Sequence, residues 1–151
     1  MPYIQELRAL VGHRPLILVG VPVMIFDEHH RLLLQHRTDD NMWDFPGGYM
    51  ELGESTEETA RREVREETGL EIDEMMLFKV FAGNEFFYEY PNGDQVFSAC
   101  PVYITNDVHG TLQPDGHEGS EVKYFPIHDL PGEMLPQVRM IIESFLKSRG
   151  M

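Results

Sequence analysis

"GGYMELGESTEETARREVREETGL", residues 47–70, decides how the rest of the chain is read. Glu54, Glu57, Glu58, Glu63, Glu66 and Glu67 crowd into it. Like charges repel one another on a helix, and acidic side chains help only near the first turn. Ser55 followed three residues later by Glu58 makes a capping box, and Gly69 is a stop signal. The spacing therefore predicts a helix over about 55–68. At about 100° per residue, Glu63, Glu66 and Glu67 share an arc of roughly 100°. Ala60 and Val64 fall at the edge of that arc, so the carboxylates flank the apolar stripe. Arg61, Arg65 and Glu58 take the far side, toward water. Carboxylates gathered at a buried edge raise one another's pKa unless a cation neutralises them. Hard oxygen donors at this spacing suit Mg²⁺ or Mn²⁺. Taken alone, the same glutamates also read as a solvated face.

The residues around them discriminate. Gly48 is followed by five residues and Glu54, then by seven residues and Arg62-Glu63-Val64, Glu66-Glu67 and Gly69-Leu70. This is a complete Nudix box, and the chain resembles the Nudix hydrolase superfamily, MutT-like. The preceding "WDFPGG", the strand layout and a closing helix are similar to that family's α/β/α sandwich, a mixed β-sheet between helices. The resemblance implies a loop-helix-loop that holds divalent cations, Mg²⁺ or Mn²⁺, against a diphosphate. It makes Glu63, Glu66 and Glu67 metal ligands or water activators, and the Gly47 carbonyl a further ligand. It assigns Arg62 and Glu54 to an ion pair fastening loop to helix, and Gly48 and Gly69 to backbone geometry. Glu118, in "GHEGSE", matches a loop glutamate that many members use as ligand or base. Glu121 is its rival, but strand alternation pairs Val122 with Tyr124 toward the core and turns Glu121 outward.

Other residues bear on the substrate. Arg37 ends a predicted strand near the expected cleft and reads either as a phosphate contact or as a surface salt bridge. Phe86, Tyr88 and Tyr90 share one strand face by period two, suited to stacking on a base or to packing on a helix. In some family members a tyrosine near Tyr88 accompanies dinucleoside polyphosphate substrates. The proline that often marks ADP-ribose hydrolases is absent from residues 84–87. Trp43 either lines the cleft or packs.

Composition sets the frame. The chain has 151 residues, 42% of them hydrophobic, which suits one domain over residues 1–151. Twelve basic residues against 26 acidic ones leave a net charge of −14. That argues against DNA or RNA and against an anionic membrane surface as partners. A small anionic nucleotide is compatible if cations bridge it to the protein. Cys100, the only cysteine, lies in "VFSACPVYI" and reads as an inert buried thiol. The amino terminus lacks a signal peptide's apolar centre, and no run of about 18 apolar residues occurs, so a cytoplasmic protein is the default.

Elements follow from pattern. "YIQELRALVG" predicts a short helix, "LILVGVPVMIF" a central strand, and "RLLLQHR" a second strand after a turn at "DEHH". Residues 39–45 read as a polar loop. "MMLFKVFAG" and "EFFYEY" read as strands, and "PNGD" as a hairpin turn into "QVFSACPVYI". A polar loop over 106–121 leads to "VKYFPI" and to a last helix over about 134–147. No Walker-type loop, Ser-His-Asp set or reactive cysteine competes. The expectation is a metal-dependent hydrolase cleaving the diphosphate of a nucleoside diphosphate linked to another moiety. The competing class is a nucleotide-sensing module of the same fold without turnover, which loss of box carboxylates would favour; none is lost. Oligomeric state stays open, a homodimer being common among family members.

Overall fold

The computed structural model describes residues 2–116 and 119–151. Its elements are α1 (Pro2–Val11), β1 (Leu16–Ile25), β2 (Arg31–Arg37), β3 (Trp43–Asp44), β4 (Gly47–Tyr49), α2 (Thr56–Thr68), β5 (Leu70–Phe81), β6 (Phe87–Glu89), β7 (Gln95–Gly110), β8 (Gly119–Pro126) and α3 (Pro136–Ser148). One sheet runs β4-β1-β7-β5 with β6 also paired to β7, and a second runs β3-β2-β8. The β1–β7 pair is parallel and the others are antiparallel. A parallel pair needs cover on both faces, which explains why β1 is a nearly unbroken apolar run.

The period-two alternation of β1 and β2 divides the core. Val21, Val23, Ile25 and Leu33 join Ala60 and Val64 of α2 in one cluster. Met24, Leu32 and Leu34 join Val138, Ile141, Ile142 and Phe145 of α3 in the other. Helices thus flank a mixed β arrangement, the expected sandwich. Val64 is fully buried, which contributes about 1.5–3 kcal/mol. An aspartate there would leave an unpaired charge in the core and break the packing.

Several boundaries differ from the sequence reading. The 39–45 loop contains β3, whose Trp43 and Asp44 pair with His36 and Gln35 of β2. β5 begins at Leu70 and β7 runs to Gly110, because Leu70↔Gly110, Glu71↔His109 and Ile72↔Val108 continue the ladder. Polar residues on the outer side of that ladder disguise it as loop. Asn84–Phe86 forms a 3₁₀ turn instead of strand, with Phe86 buried in the α3-side core. The Asn92-Gly93 turn forms as expected, Tyr90 N–H donating to Asp94 O at 2.8 Å and Gly93 N–H to Tyr90 O at 2.9 Å. Cys100 is buried, and burial pushes its thiol up to about 12, as suits an inert side chain. Among the described residues, no helix is long and apolar enough to cross a membrane.

Candidate active site

α2 is set by its caps. Glu58 N–H donates to Ser55 Oγ at 3.1 Å and Ser55 N–H to Glu58 Oε1 at 2.9 Å, closing the capping box. Gly69 stops the helix at φ 78°, and a Cβ there would meet Thr111 O at 2.4 Å. The loop before the helix is gathered by Glu54, whose carboxylate accepts from Glu51 N–H at 2.9 Å and Thr59 Oγ1 at 2.9 Å. Arg62 grips it from the other side, Nε to Oε2 at 2.6 Å and Nη2 to Oε1 at 3.0 Å. That two-pronged bond is the main reason the Glu54 carboxyl is held at about 2, and it raises the Arg62 guanidinium in turn.

Arg62 does more than the sequence assigned to it. Its Nη1 also lies 2.7 Å from Glu63 Oε1 and 3.5 Å from Glu66 Oε2. A single guanidinium thus neutralises parts of three carboxylates. The three box glutamates of the predicted arc separate in exposure. Glu63 and Glu67 are 4% and 2% exposed, whereas the Glu66 side chain is 55% exposed. Glu67 Oε1 accepts from Gly47 N–H at 2.7 Å and Oε2 from Gln35 Nε2 at 3.1 Å. Arg61, expected in water, is half-buried and donates to the carbonyls of Ile72 and Asp73.

Gly47 and Gly48 explain why the loop carries glycines. A Cβ on Gly47 would stand 2.2 Å from Val21 O, and one on Gly48 would stand 2.4–2.7 Å from the Glu63 carboxylate. Side-chain-free backbone is therefore laid against the carboxylates, leaving room beside them. Among the described residues, no three His, Cys, Asp or Glu side chains converge as a preformed cluster, since Arg62 draws Glu63 and Glu66 while Gly47 and Gln35 hold Glu67. The donor set itself, two buried carboxylates one turn apart against a glycine backbone with Glu66 beside them, fits a hard divalent cation.

Beside the box lie two hollows that share part of their lining. One, about 230 Å³, is lined by Arg8, Arg37, Gly47, Gly48, Tyr49, Glu63 and Tyr90 among others. The next, about 140 Å³, shares Arg37, Tyr49 and Tyr90 and adds Asp40, Asp44, Phe86, Tyr88 and Gln137. Arg37 bonds Asp39 through Nε at 3.0 Å and Nη2 at 2.9 Å, which lowers the Asp39 carboxyl. Burial alone would lower the Arg37 guanidinium, but its bond to Asp39 and the nearby Asp44 leave it raised. It is therefore both the expected salt bridge and a cation facing the cleft. Tyr88 Oη donates to Asp40 Oδ2 at 3.1 Å, and its ring meets Tyr90 edge-on at 4.7 Å. Burial pushes the Tyr88 hydroxyl up to about 12. Tyr90 and Tyr49 share a hydroxyl contact at 2.9 Å.

Trp43 does not line either hollow; it packs edge-on against Phe125 at 4.9 Å and His36 at 5.1 Å. Glu118 lies outside the described residues. Glu121 is exposed and pairs with His36. A separate cavity of about 1120 Å³ lies among Phe26, His29, Met76, Ile104 and Phe145 and shares no residue with the box.

Sequence reasoning missed Gln35, Tyr49, Asp44 and Arg8. Gln35 left a faint signal, a polar side chain directly after the apolar run Leu32–Leu34 of β2. Burial pushes the Asp44 carboxyl up to about 6, with the Arg37 guanidinium opposing the rise. Arg8 anchors α1, its Nη2 donating to Gln95 O at 2.8 Å and its Nη1 to Arg14 O at 2.6 Å.

Residues 16–147 match the family model described as NUDIX domain. An NAD-capped RNA hydrolase NudC of Vibrio vulnificus (strain CMCP6) is 32% identical over 127 residues, covering 83% of this chain and 44% of that protein. The chain thus spans less than half the length of the NudC proteins it matches. An ADP-ribose pyrophosphatase of Methanocaldococcus jannaschii is 29% identical over 110 residues, covering 71% of this chain and 61% of that one. The crystal structure of a MutT NUDIX hydrolase from Burkholderia pseudomallei superposes with a TM-score of 0.71 at 23% identity, over 85% of this chain and 97% of that one. At that identity the superposition speaks for the fold.

Proposed function

The chain belongs to the NUDIX domain family, and from that membership we propose that it is a divalent-metal-dependent pyrophosphohydrolase cleaving the diphosphate of a nucleoside diphosphate linked to another moiety. The observation that carries this reading is the placement of Glu63 and Glu67, both buried, against the side-chain-free Gly47-Gly48 backbone at the mouth of a cleft holding Arg37. A purely structural helix has no use for ionisable groups in such a place. Two of the matched relatives are named an NAD-capped RNA hydrolase and an ADP-ribose pyrophosphatase, which supports a nucleotide-derived diphosphate as the substrate class.

Glu63, Glu66, Glu67 and the Gly47 carbonyl would hold Mg²⁺ or Mn²⁺. When bound, such a cation neutralises phosphoryl oxygens and lowers the pKa of a water. The protein's own groups do the rest. Arg62 and Glu54 keep the loop on the helix, so that the carboxylates stay in register with Gly47 and Gly48. One of the carboxylates of Glu63, Glu67 and Glu118 accepts the proton of the attacking water. Arg37, steadied by Asp39, offers a fixed guanidinium to an anionic phosphate. Tyr88 and Tyr90 wall the inner hollow, where an aromatic base can stack.

The test is a screen of nucleotide sugars, dinucleoside polyphosphates, oxidised nucleoside triphosphates and ADP-ribose with Mg²⁺ or Mn²⁺, the products being identified by mass. The expected result is cleavage at a phosphoric anhydride that stops with chelator. Tight nucleotide binding with no turnover at any metal concentration would replace this reading with the sensing module.

A further inference from the structure

Gln35 has no accessible surface, and its β2 neighbours Leu32, Leu33 and Leu34 are equally buried. Its Nε2 donates to Glu67 Oε2 at 3.1 Å, while Gly47 N–H holds the other oxygen at 2.7 Å. The opposite end of the carboxamide is treated differently. Among the described residues Oε1 has no hydrogen-bond partner, and a Cβ on Gly119 would lie 2.7 Å from it. The group is therefore wedged between the start of β8 and the last turn of α2, with one useful hydrogen bond and one orphaned carbonyl. A leucine would fill this place and leave no orphan, so packing alone does not account for a glutamine.

We propose that Gln35 is a positioning residue for Glu67, presetting one box carboxylate so that it meets a divalent cation without having to be reoriented. The proposal rests on the metal-dependent reading above. The reasoning is geometric. A carboxylate has soft terminal torsion and would otherwise sample many orientations. Two donors from different elements, the β4 backbone and the β2 side chain, hold one oxygen each and so restrict rotation of the carboxylate plane. Each oxygen keeps further lone-pair capacity for a cation. Glu63 and Glu66 are instead turned toward Arg62, whereas Glu67 accepts from the neutral donors Gly47 N–H and Gln35 Nε2. Supporting groups behind metal ligands act in this manner generally.

The experiment measures Mn²⁺ affinity of the metal-free protein by calorimetry, together with kcat and KM, for wild type, Gln35→Met, Glu67→Gln and the double variant. Methionine keeps the length and removes the donor. Gln35→Met is expected to weaken Mn²⁺ binding or lower kcat by about 10–100-fold, with KM moving much less. In the Glu67→Gln background the same change is expected to add little, because the two residues act as one unit. Wild-type Mn²⁺ affinity and kcat in Gln35→Met overturn the proposal, as does an undiminished loss in the Glu67→Gln background. If Gln35→Met does not fold, Gln35→Asn, which withdraws the amide by one methylene, takes its place with the same expectation. A wild-type protein that binds no Mn²⁺ defeats the metal reading itself, which keeps the two failures apart.

Discussion

Nε of Arg62 stands 2.6 Å from Oε2 of Glu54, eight residues earlier in the chain, and this contact ties the loop after β4 to the second turn of α2. Both side chains are about four-fifths shielded from solvent. Replacing Arg62 by alanine removes a charge-assisted pair and leaves Glu54 with fewer donors, a loss of about 1.5–3 kcal/mol. For a domain of this size the melting temperature is expected to fall by roughly 3–10 °C. Calorimetry of Arg62→Ala beside wild type checks it, and an unchanged melting temperature would remove the pair from the list of stabilising contacts.

Acid should undo the same contact. The Glu54 carboxyl is held at about 2 in the fold against an ordinary value of 4.5, chiefly by its bond to Arg62. A depressed carboxyl contributes stability above its unfolded pKa and loses it as pH falls toward the folded one. Stability should therefore decline between pH 4.5 and 2, and it should decline less steeply in Glu54→Gln. Urea midpoints across that range measure the difference, and parallel curves would refute the assignment.

Gly48→Ala separates the site from the fold. The added methyl would meet the carboxylate end of Glu63 at 2.4–2.7 Å, a flexible side chain that can move aside. Turnover should drop tenfold or more while the melting temperature stays within a few degrees, since surrounding backbone need not shift. Equal loss of stability and activity would instead make Gly48 a folding residue.

Bound Mg²⁺ should stabilise the protein through mass action. At a hundredfold excess over the dissociation constant the gain is about 2.7 kcal/mol, or roughly 5–10 °C. Glu67→Gln should lose most of this gain and lower kcat by several orders of magnitude. Glu121→Gln, on an exposed strand position facing water, should do neither. A Mg²⁺ shift preserved in Glu67→Gln would take that residue out of the ligand set.

Short-range chemistry was legible without a structure. The Ser55–Glu58 box and the Gly69 stop act within a few residues, so spacing alone placed α2. The same holds for Glu54 and Arg62, eight apart on a loop and the helix it enters. Strand alternation likewise foretold that Glu121 faces out while Val122 and Tyr124 pack inward. Contacts over longer separations were decided only when the chain folded back on itself. Glu67 became buried and Glu66 exposed because β2 and the Gly47-Gly48 backbone close over one edge of α2 and not the other, a choice that a helical wheel cannot make. Gln35 meets Glu67 across 32 positions and Tyr88 meets Asp40 across 48. Trp43 turned into packing with Phe125 because β3 pairs with β2, which β8 flanks on its other side. Local hydrogen bonds depend on the identity of near neighbours and can be read in order along the chain. Burial and long-range partnership depend on which surfaces meet, and that is a property of the assembled sheets and helices.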